Sequence, residues 1–189
     1  MFGYKDSVSE TCQEAEKEKT QGEKAEAEKL EIQESVTGEI LLDSHMEGEA
    51  IPMSEVKDET FAAEVLGKGI ATIPKKGEVT APCDAVVETV FATRHAIGLK
   101  ADHGVEILIH VGINTLELGG KFYTSHVTEG DRVRTGQVML TFDMEKIKEA
   151  GYDVTTPMIV TNSDDYQEIR ILKTGNVTKQ DAALEIKGS

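Results

Sequence analysis

Tryptophan is missing from this 189-residue chain, aromatic residues make up only 5% of it, and two cysteines and four prolines are all it contains of those types. Two cysteines, Cys12 and Cys83, far apart in sequence and with the first in a polar stretch, exclude a disulfide-stapled scaffold. No apolar run approaches the ~18 residues that a membrane-crossing helix needs. Residues 1–10 lack the basic and then apolar regions of a secretory signal, so a cytosolic (cytoplasmic) protein is expected. Positive charge is also scarce: 20 Lys and Arg stand against 35 Asp and Glu, a formal net charge of −15. Nucleic acid and anionic membranes both require Lys and Arg to displace counterions, so neither is an expected partner. Phe2 and Tyr4 form at most a weak apolar tip, and Asp6 and Glu10 oppose its docking on an anionic bilayer. A basic protein partner suits the charge.

What the chain has is glycine, 17 residues of it, distributed as punctuation. Residues 1–34 are dominated by Glu, Lys, Gln and Ala, as in EAEKEKTQGEKAEAEKLE, with no apolar stripe to bury, and read as a charged flexible tail or frayed helix. Such a tail suits a free-standing protein or a severed linker, and Met1 tips the expectation towards the former. Over 35–189 the character changes to short apolar runs separated by Gly, Pro, Asp and Asn. That rhythm predicts one all-β domain, an antiparallel sandwich or barrel-like fold. Strands are expected at 38–42, 69–73, 78–80, 85–91, 96–100, 105–111, 137–142, 157–161 and 168–172. One short helix is expected at 144–150, capped by Asp143 and ended by Gly151. Two stretches, EVTAPCDAVVETVF and SHVTEGDRVRTGQVMLTF, each pass a turn and enter a strand. They resemble the duplicated hybrid motif of biotinyl and lipoyl carrier domains.

The most informative stretch is GVEILIHVGINTLEL, residues 104–118. A period of two puts Val105, Ile107, Ile109 and Val111 on a core face and Glu106, Leu108 and His110 on the other. Gly112 follows closely and lets other backbone approach. Taken alone, a histidine in this setting is more often a hydrogen-bonded structural residue than a reactive one. His95, in FATRHAIGL, gives it a partner. A hairpin of strand 96–100, a turn through Asp102, His103 and Gly104, and strand 105–110 brings the two imidazoles together. A neutral imidazole, with an ordinary pKa of about 6.5, is a nitrogen nucleophile near neutral pH. His110 is placed to attack phosphorus, and a second imidazole N–H from His95 to stabilise the transferred charge. The Thr93 hydroxyl, two residues from His95, can fix the tautomer of that ring. His45, His103 and His126 read as surface loop or turn residues without a role. The acidic clusters at 43–49 and 163–165 lack EF-hand spacing and read as solvated turns.

These residues carry a family resemblance. The signature of Gly, two variable residues, three apolar residues, His, apolar, Gly, apolar, any residue and Thr stands at 104–115. With Thr93, His95 and Ala96 as a TxHA pattern and APCDA at 81–85, it resembles the glucose-type enzyme IIA domain of the bacterial phosphoenolpyruvate-dependent sugar phosphotransferase system, over residues 38–178. The resemblance implies a phosphocarrier. His110 would accept a phosphoryl group from the histidine phosphocarrier protein and pass it to a cysteine on the IIB domain of a sugar permease, with His95 auxiliary and Thr93 its partner. It further implies an apolar docking depression at Phe61, Val65, Leu66, Phe91, Leu108 and Leu116, with acidic contacts at Asp58 and at the position of Asn114. No resident cofactor or metal is implied, but zinc becomes conditional, between His95 and His110 with a partner's carboxylate. Departures are visible: Asn114 replaces the usual Asp, Leu116 a smaller residue, Ala85 a turn Gly, and Lys68 an Asp.

Two other classes compete. A zinc metallopeptidase needs three protein ligands, and the chain offers His95 and His110 without a His-x-His pair or an HExxH motif. A biotinyl or lipoyl carrier needs a Met-Lys hairpin tip, and Lys75 and Lys76 stand in IPKKGE without one.

Overall fold

The computed structural model describes residues 38–188. The expected tail at 1–34 lies outside the described residues, as does Cys12. Among the described residues the chain runs through β1 (Glu39–Asp43), β2 (Gly48–Pro52), a helical turn α1 (Glu59–Ala62), β3 (Lys68–Pro74), β4 (Glu78–Thr80), β5 (Ala85–Val90), β6 (Ala96–Ala101) and β7 (Glu106–His110). It continues through β8 (Tyr123–Ser125), β9 (Arg132–Val133), β10 (Val138–Phe142), α2 (Met144–Glu149), β11 (Thr156–Val160), β12 (Glu168–Ile171), β13 (Gly175–Val177) and β14 (Ala182–Lys187). The fold is all-β with antiparallel pairing, as the turn rhythm predicts. One sheet of eight strands has the order β13-β2-β3-β11-β7-β6-β5-β9, and two three-stranded sheets have the orders β1-β14-β12 and β4-β10-β8.

Alternation builds these strands. In β7 Ile107 and Ile109 are buried while Glu106, Leu108 and His110 are half-buried on the opposite face. Ile97 and Leu99 of β6 join the same core, with Leu42, Ile70, Met139, Leu140, Met158 and Leu184 around them. Each such side chain contributes roughly 1.5–3 kcal/mol on leaving water. The two hybrid-motif stretches lie against each other: β4 pairs with β10, β5 pairs with β9, and the Ala81 amide donates to the Gln137 carbonyl at 2.9 Å. The helix after β10 forms as its sequence requires. Asp143 accepts from the Lys146 amide, two lysines occupy the last turn, and Gly151 ends it at a φ of +92°.

A smaller apolar cluster positions the site. Met53, Val56 and Phe61 pack with Ala71, Ile113 and Ile159, and Leu108 and Ile51 border them. The segment carrying α1 thus lies over the sheet beside β7. Asp58 caps α1 by accepting from the Thr60 and Phe61 amides. At four residues that turn is too short to show a helical period.

Several local readings change. Strands β2, β8, β9, β13 and β14 carry no strong signal of their own, being short or, like β14 (AALEIK), buried at four consecutive positions without alternation. The cluster at 43–49 is not a solvated turn: Ser44, His45 and Met46 are buried and Gly48 starts β2. His45 is not a surface residue, and its Nε2–H donates to the Thr156 carbonyl at 2.9 Å while Nδ1 has no partner. Ser163 is likewise buried, donating to the Val160 carbonyl and accepting from the Lys68 amide. His103 is half-buried, whereas His126 is exposed as expected. Cys83 is a free thiol, 6% exposed, and burial foremost, with Asp84, Asp102 and Asp43 behind it, pushes its pKa up to about 12. Among the described residues no helix is long and apolar enough to cross a membrane.

Two outcomes follow for stability. A Cβ on Gly69 would stand 2.0 Å from the Met158 carbonyl oxygen, whereas one on Gly98 would come no nearer than 3.7 Å to any atom, at Thr89. Thermal unfolding should therefore show Gly69→Ala losing about 3 kcal/mol or more and Gly98→Ala staying within about 1 kcal/mol of wild type. The second outcome concerns His45, whose burial lowers its pKa to about 4. The unfolded chain binds a proton there below an ordinary value of about 6.5 and the folded chain does not, so stability is full above that pH and declines towards pH 4, by roughly 3 kcal/mol from this residue. Denaturant unfolding of His45→Gln across that range should show a shallower decline than wild type.

Candidate functional site

The β6–β7 hairpin places the two histidines. Gly104, at a φ of +89°, closes the turn, with its amide donating to the Ala101 carbonyl at 2.9 Å. Register then sets Ala96 opposite His110 and Ile97 opposite Ile109. One residue beyond, the Val111 amide donates to the His95 carbonyl at 2.6 Å, extending the ladder past its last strand pair. The ring centroids of His95 and His110 are 4.8 Å apart, with the planes at 74°. Phe61 lies 5.2 Å from His110 and Phe91 lies 5.6 Å from His95, so four rings follow one another from Phe61 to Phe91.

Hydrogen bonds decide which nitrogens are free. His110 Nδ1 is 2.8 Å from the Gly112 carbonyl oxygen, which can only accept. Nδ1 therefore carries the proton, and Nε2 keeps its lone pair. His95 Nδ1 is 2.5 Å from the Thr93 hydroxyl. When that hydroxyl donates, the proton of neutral His95 sits on Nε2. Burial lowers the pKa of His95 to about 4, with the neighbouring His110 adding to the effect. Burial also lowers the pKa of His110, against the opposing pull of the Gly112 carbonyl and the Asp58 carboxylate. Both rings are thus held neutral near pH 7, the state in which an imidazole nitrogen can attack an electrophile.

Around this pair the candidate docking residues divide. Val65 (71% exposed), Leu66, Phe91 and Leu116 (59%) present apolar side chains to solvent, and Leu108 is half-buried. Phe61 is only 7% exposed and lies beneath His110, as a support more than a contact surface. Asp58 is close enough to act electrostatically on His110 while it caps α1. Asn114 is exposed at a φ of 58°, a left-handed conformation that Asn and Asp tolerate better than most residues. Glu64 and Arg94 also have positive φ, at 52° and 53°. Strained backbone of this kind concentrates at functional loops, and nothing in the sequence marks those two positions. The backbone beside His110 is held by the Thr115 and Tyr123 hydroxyls and by the Asp153 main-chain carbonyl, and no local sequence signal pointed to Tyr123 or Asp153. Thr115 was visible only as the last letter of the signature. Among the described residues no three His, Cys, Asp or Glu side chains cluster to hold a metal ion.

Residues 40–166 match the family model described as phosphoenolpyruvate-dependent sugar phosphotransferase system, EIIA 1. The chain is 47% identical over 146 residues to a β-glucoside-specific EIIBCA component of that system from Bacillus subtilis, a match covering 77% of this chain and 24% of the relative. It is 40% identical to a glucose-specific EIIA component from Oceanobacillus iheyensis, over 79% of this chain and 90% of the relative. The solved glucose permease IIA from Mycoplasma capricolum superposes with a TM-score of 0.74 at 32% identity, covering 78% of this chain and 96% of that one. The chain thus spans about a quarter of the length of the EIIBCA relative and nearly all of the single-component one. Family model, relatives and solved structure agree on one assignment: the chain belongs to the EIIA family of the phosphoenolpyruvate-dependent sugar phosphotransferase system and carries a glucose-type EIIA domain.

Proposed function

We propose that His110 accepts a phosphoryl group on Nε2 from the histidine phosphocarrier protein and passes it to a cysteine of a sugar-specific IIB domain. The observation that carries this reading is the bond from His110 Nδ1 to the Gly112 carbonyl, which leaves Nε2 unprotonated beside His95. In the first transfer the phosphorus–nitrogen bond of the carrier's phosphohistidine breaks as the Nε2–phosphorus bond forms. In the second, a thiolate of the IIB domain attacks phosphorus, and the sulfur–phosphorus bond forms as the Nε2–phosphorus bond breaks and returns the electron pair to Nε2. In both, charge spreads over the phosphoryl oxygens in transit. His95 donates from Nε2–H to one of those oxygens, and the Thr93 hydroxyl keeps its proton on that side. The reaction class is phosphoryl transfer through a phosphohistidine, driving sugar uptake with phosphorylation.

The rim supports the docking half of the proposal. Val65, Leu66, Phe91, Leu108 and Leu116 exclude water when a partner covers them, which favours transfer over hydrolysis. Asp58 supplies a carboxylate to a basic partner, and Asn114 supplies an uncharged hydrogen-bonding group where the family carries a second one. The IIB partner is supported by relatives whose names join B, C and A components in one chain. A cytoplasmic setting follows from those partners. Zinc would bind only with a third ligand, the two imidazole nitrogens of His95 and His110 needing a partner's carboxylate to complete a site.

Incubation with phosphoenolpyruvate, enzyme I and the histidine carrier should place one acid-labile phosphate on His110. His110→Ala should accept none, and retained labelling of that variant would sink the proposal. His95→Gln should still accept phosphate but pass it to IIB about 100-fold more slowly, measured as sugar phosphorylation with purified permease domains; unchanged transfer would remove His95 from the mechanism. The initial rate of acceptance, followed against pH, should fall on acidification at a lower pH than an exposed histidine would give, because burial lowers the pKa of His110.

A further inference from the structure

Residues 111–113 are held more tightly than the end of a strand requires. The Val111 amide is engaged by the His95 carbonyl, and the Val111 carbonyl has two lone pairs that are both taken by hydroxyls. Thr115 Oγ1 donates to it at 2.7 Å and the Tyr123 hydroxyl at 3.0 Å. Thr115 is fully buried and Tyr123 nearly so, and they reach this carbonyl from different elements, the helical turn 115–118 and β8. On the other side, the Ile113 amide donates to the Asp153 carbonyl at 2.9 Å. Asp153 is itself fixed, because its carboxylate accepts from the Thr155 amide at 2.8 Å and the Thr155 hydroxyl at 2.7 Å. Gly112 sits between these clamps at a φ of +84°, where a Cβ would stand 2.5 Å from Thr115 Cγ2 and 2.9 Å from the Asp153 carbonyl oxygen.

The peptide between Gly112 and Ile113 is therefore the middle of a line of hydrogen bonds. Its carbonyl accepts from His110 Nδ1, and its amide donates to Asp153. Each bond in such a line polarises the next, so the carbonyl is a stronger acceptor than an isolated one. A carbonyl that cannot swing away accepts only from a protonated nitrogen, and the proton stays on Nδ1. In a catalytic triad a carboxylate orients the histidine in this way; here a clamped neutral peptide does it.

We propose that Thr115, Tyr123 and Asp153 are positioning residues for His110, holding the 111–113 backbone so that the Gly112 carbonyl fixes the Nδ1–H tautomer and presents a bare Nε2. The consequence for transfer rests on the phosphocarrier reading above; the effect on the tautomer does not. Nitrogen-15 NMR of the unphosphorylated protein should show His110 almost wholly as Nδ1–H. The double variant Thr115→Val, Tyr123→Phe should show a mixture of tautomers and accept phosphate from the histidine carrier about tenfold more slowly. KM for the carrier should not move, since neither hydroxyl lies on the exposed rim. Thr115→Ser, which keeps the hydroxyl, should retain wild-type behaviour, and Asp153→Asn should be closer to wild type than Asp153→Ala. If the double variant loses its dispersed spectrum, the single variants Tyr123→Phe and Asp153→Ala carry the same comparison. A folded variant with an unchanged His110 tautomer overturns the proposal. Failure of wild type to accept phosphate would instead defeat the phosphocarrier reading, and the tautomer comparison would still decide the positioning role.

Discussion

One step past the end of the β6–β7 ladder, the Val111 amide donates to the His95 carbonyl, and the geometry of the site hangs on the register that this bond completes. Side chains alternate along a strand, so a slip of one residue would turn His110 into the core and Ile109 out of it. The buried face resists that slip. Ile97 and Leu99 on one strand and Ile107 and Ile109 on the other are all essentially inaccessible to water, and exposing one of them costs on the order of 2 kcal/mol. The same packing that holds the sheet together therefore fixes His110 on its opposite face, and the bond from Val111 to the His95 carbonyl holds the second imidazole beside it.

On that opposite face two demands conflict. For the proposed transfer the rings must be accessible to partners, yet shielded enough to stay neutral and to keep water from competing for a phosphoryl group. The fold resolves this by layering. Phe61 closes the site from below, His95 is 4% exposed, His110 is half-buried, and the apolar side chains of Val65, Leu66 and Leu116 stand around them in solvent. Charge is kept at the margin, with Asp58 near enough to influence His110 but engaged as the cap of α1. The left-handed backbone at Glu64, Arg94 and Asn114 belongs to the three loops that carry this rim.

Much of this was legible in the chain itself, and the legible part has a physical pattern. Strict alternation in EILIH fixed which face of β7 meets the core, and the turn at Gly104 fixed the hairpin, because both are local rules. Gly112 announced a close approach of backbone, and the Asp153 carbonyl makes it. What sequence could not give were contacts between distant segments. His45 looked like a loop residue because its neighbours are Asp43, Ser44 and Glu47, and only the approach of Thr156 buries it. Phe61 read as a surface contact until the sheet beneath it was in place. Tyr123 and Asp153 serve residues 111–113 from β8 and from the turn before β11, with no local pattern to reveal them.

Cys83 offers a last consequence. If phosphate passes from an imidazole to a partner's thiol as proposed, the fold's own thiol at Cys83 is in principle a rival destination. Only the thiolate attacks phosphorus well, and Cys83, buried with three carboxylates raising its pKa further, stays protonated throughout the physiological range. The acidity that gives the chain its net charge thus has a chemical use at this position. On the proposed reading, it keeps this sulfur from competing as a nucleophile.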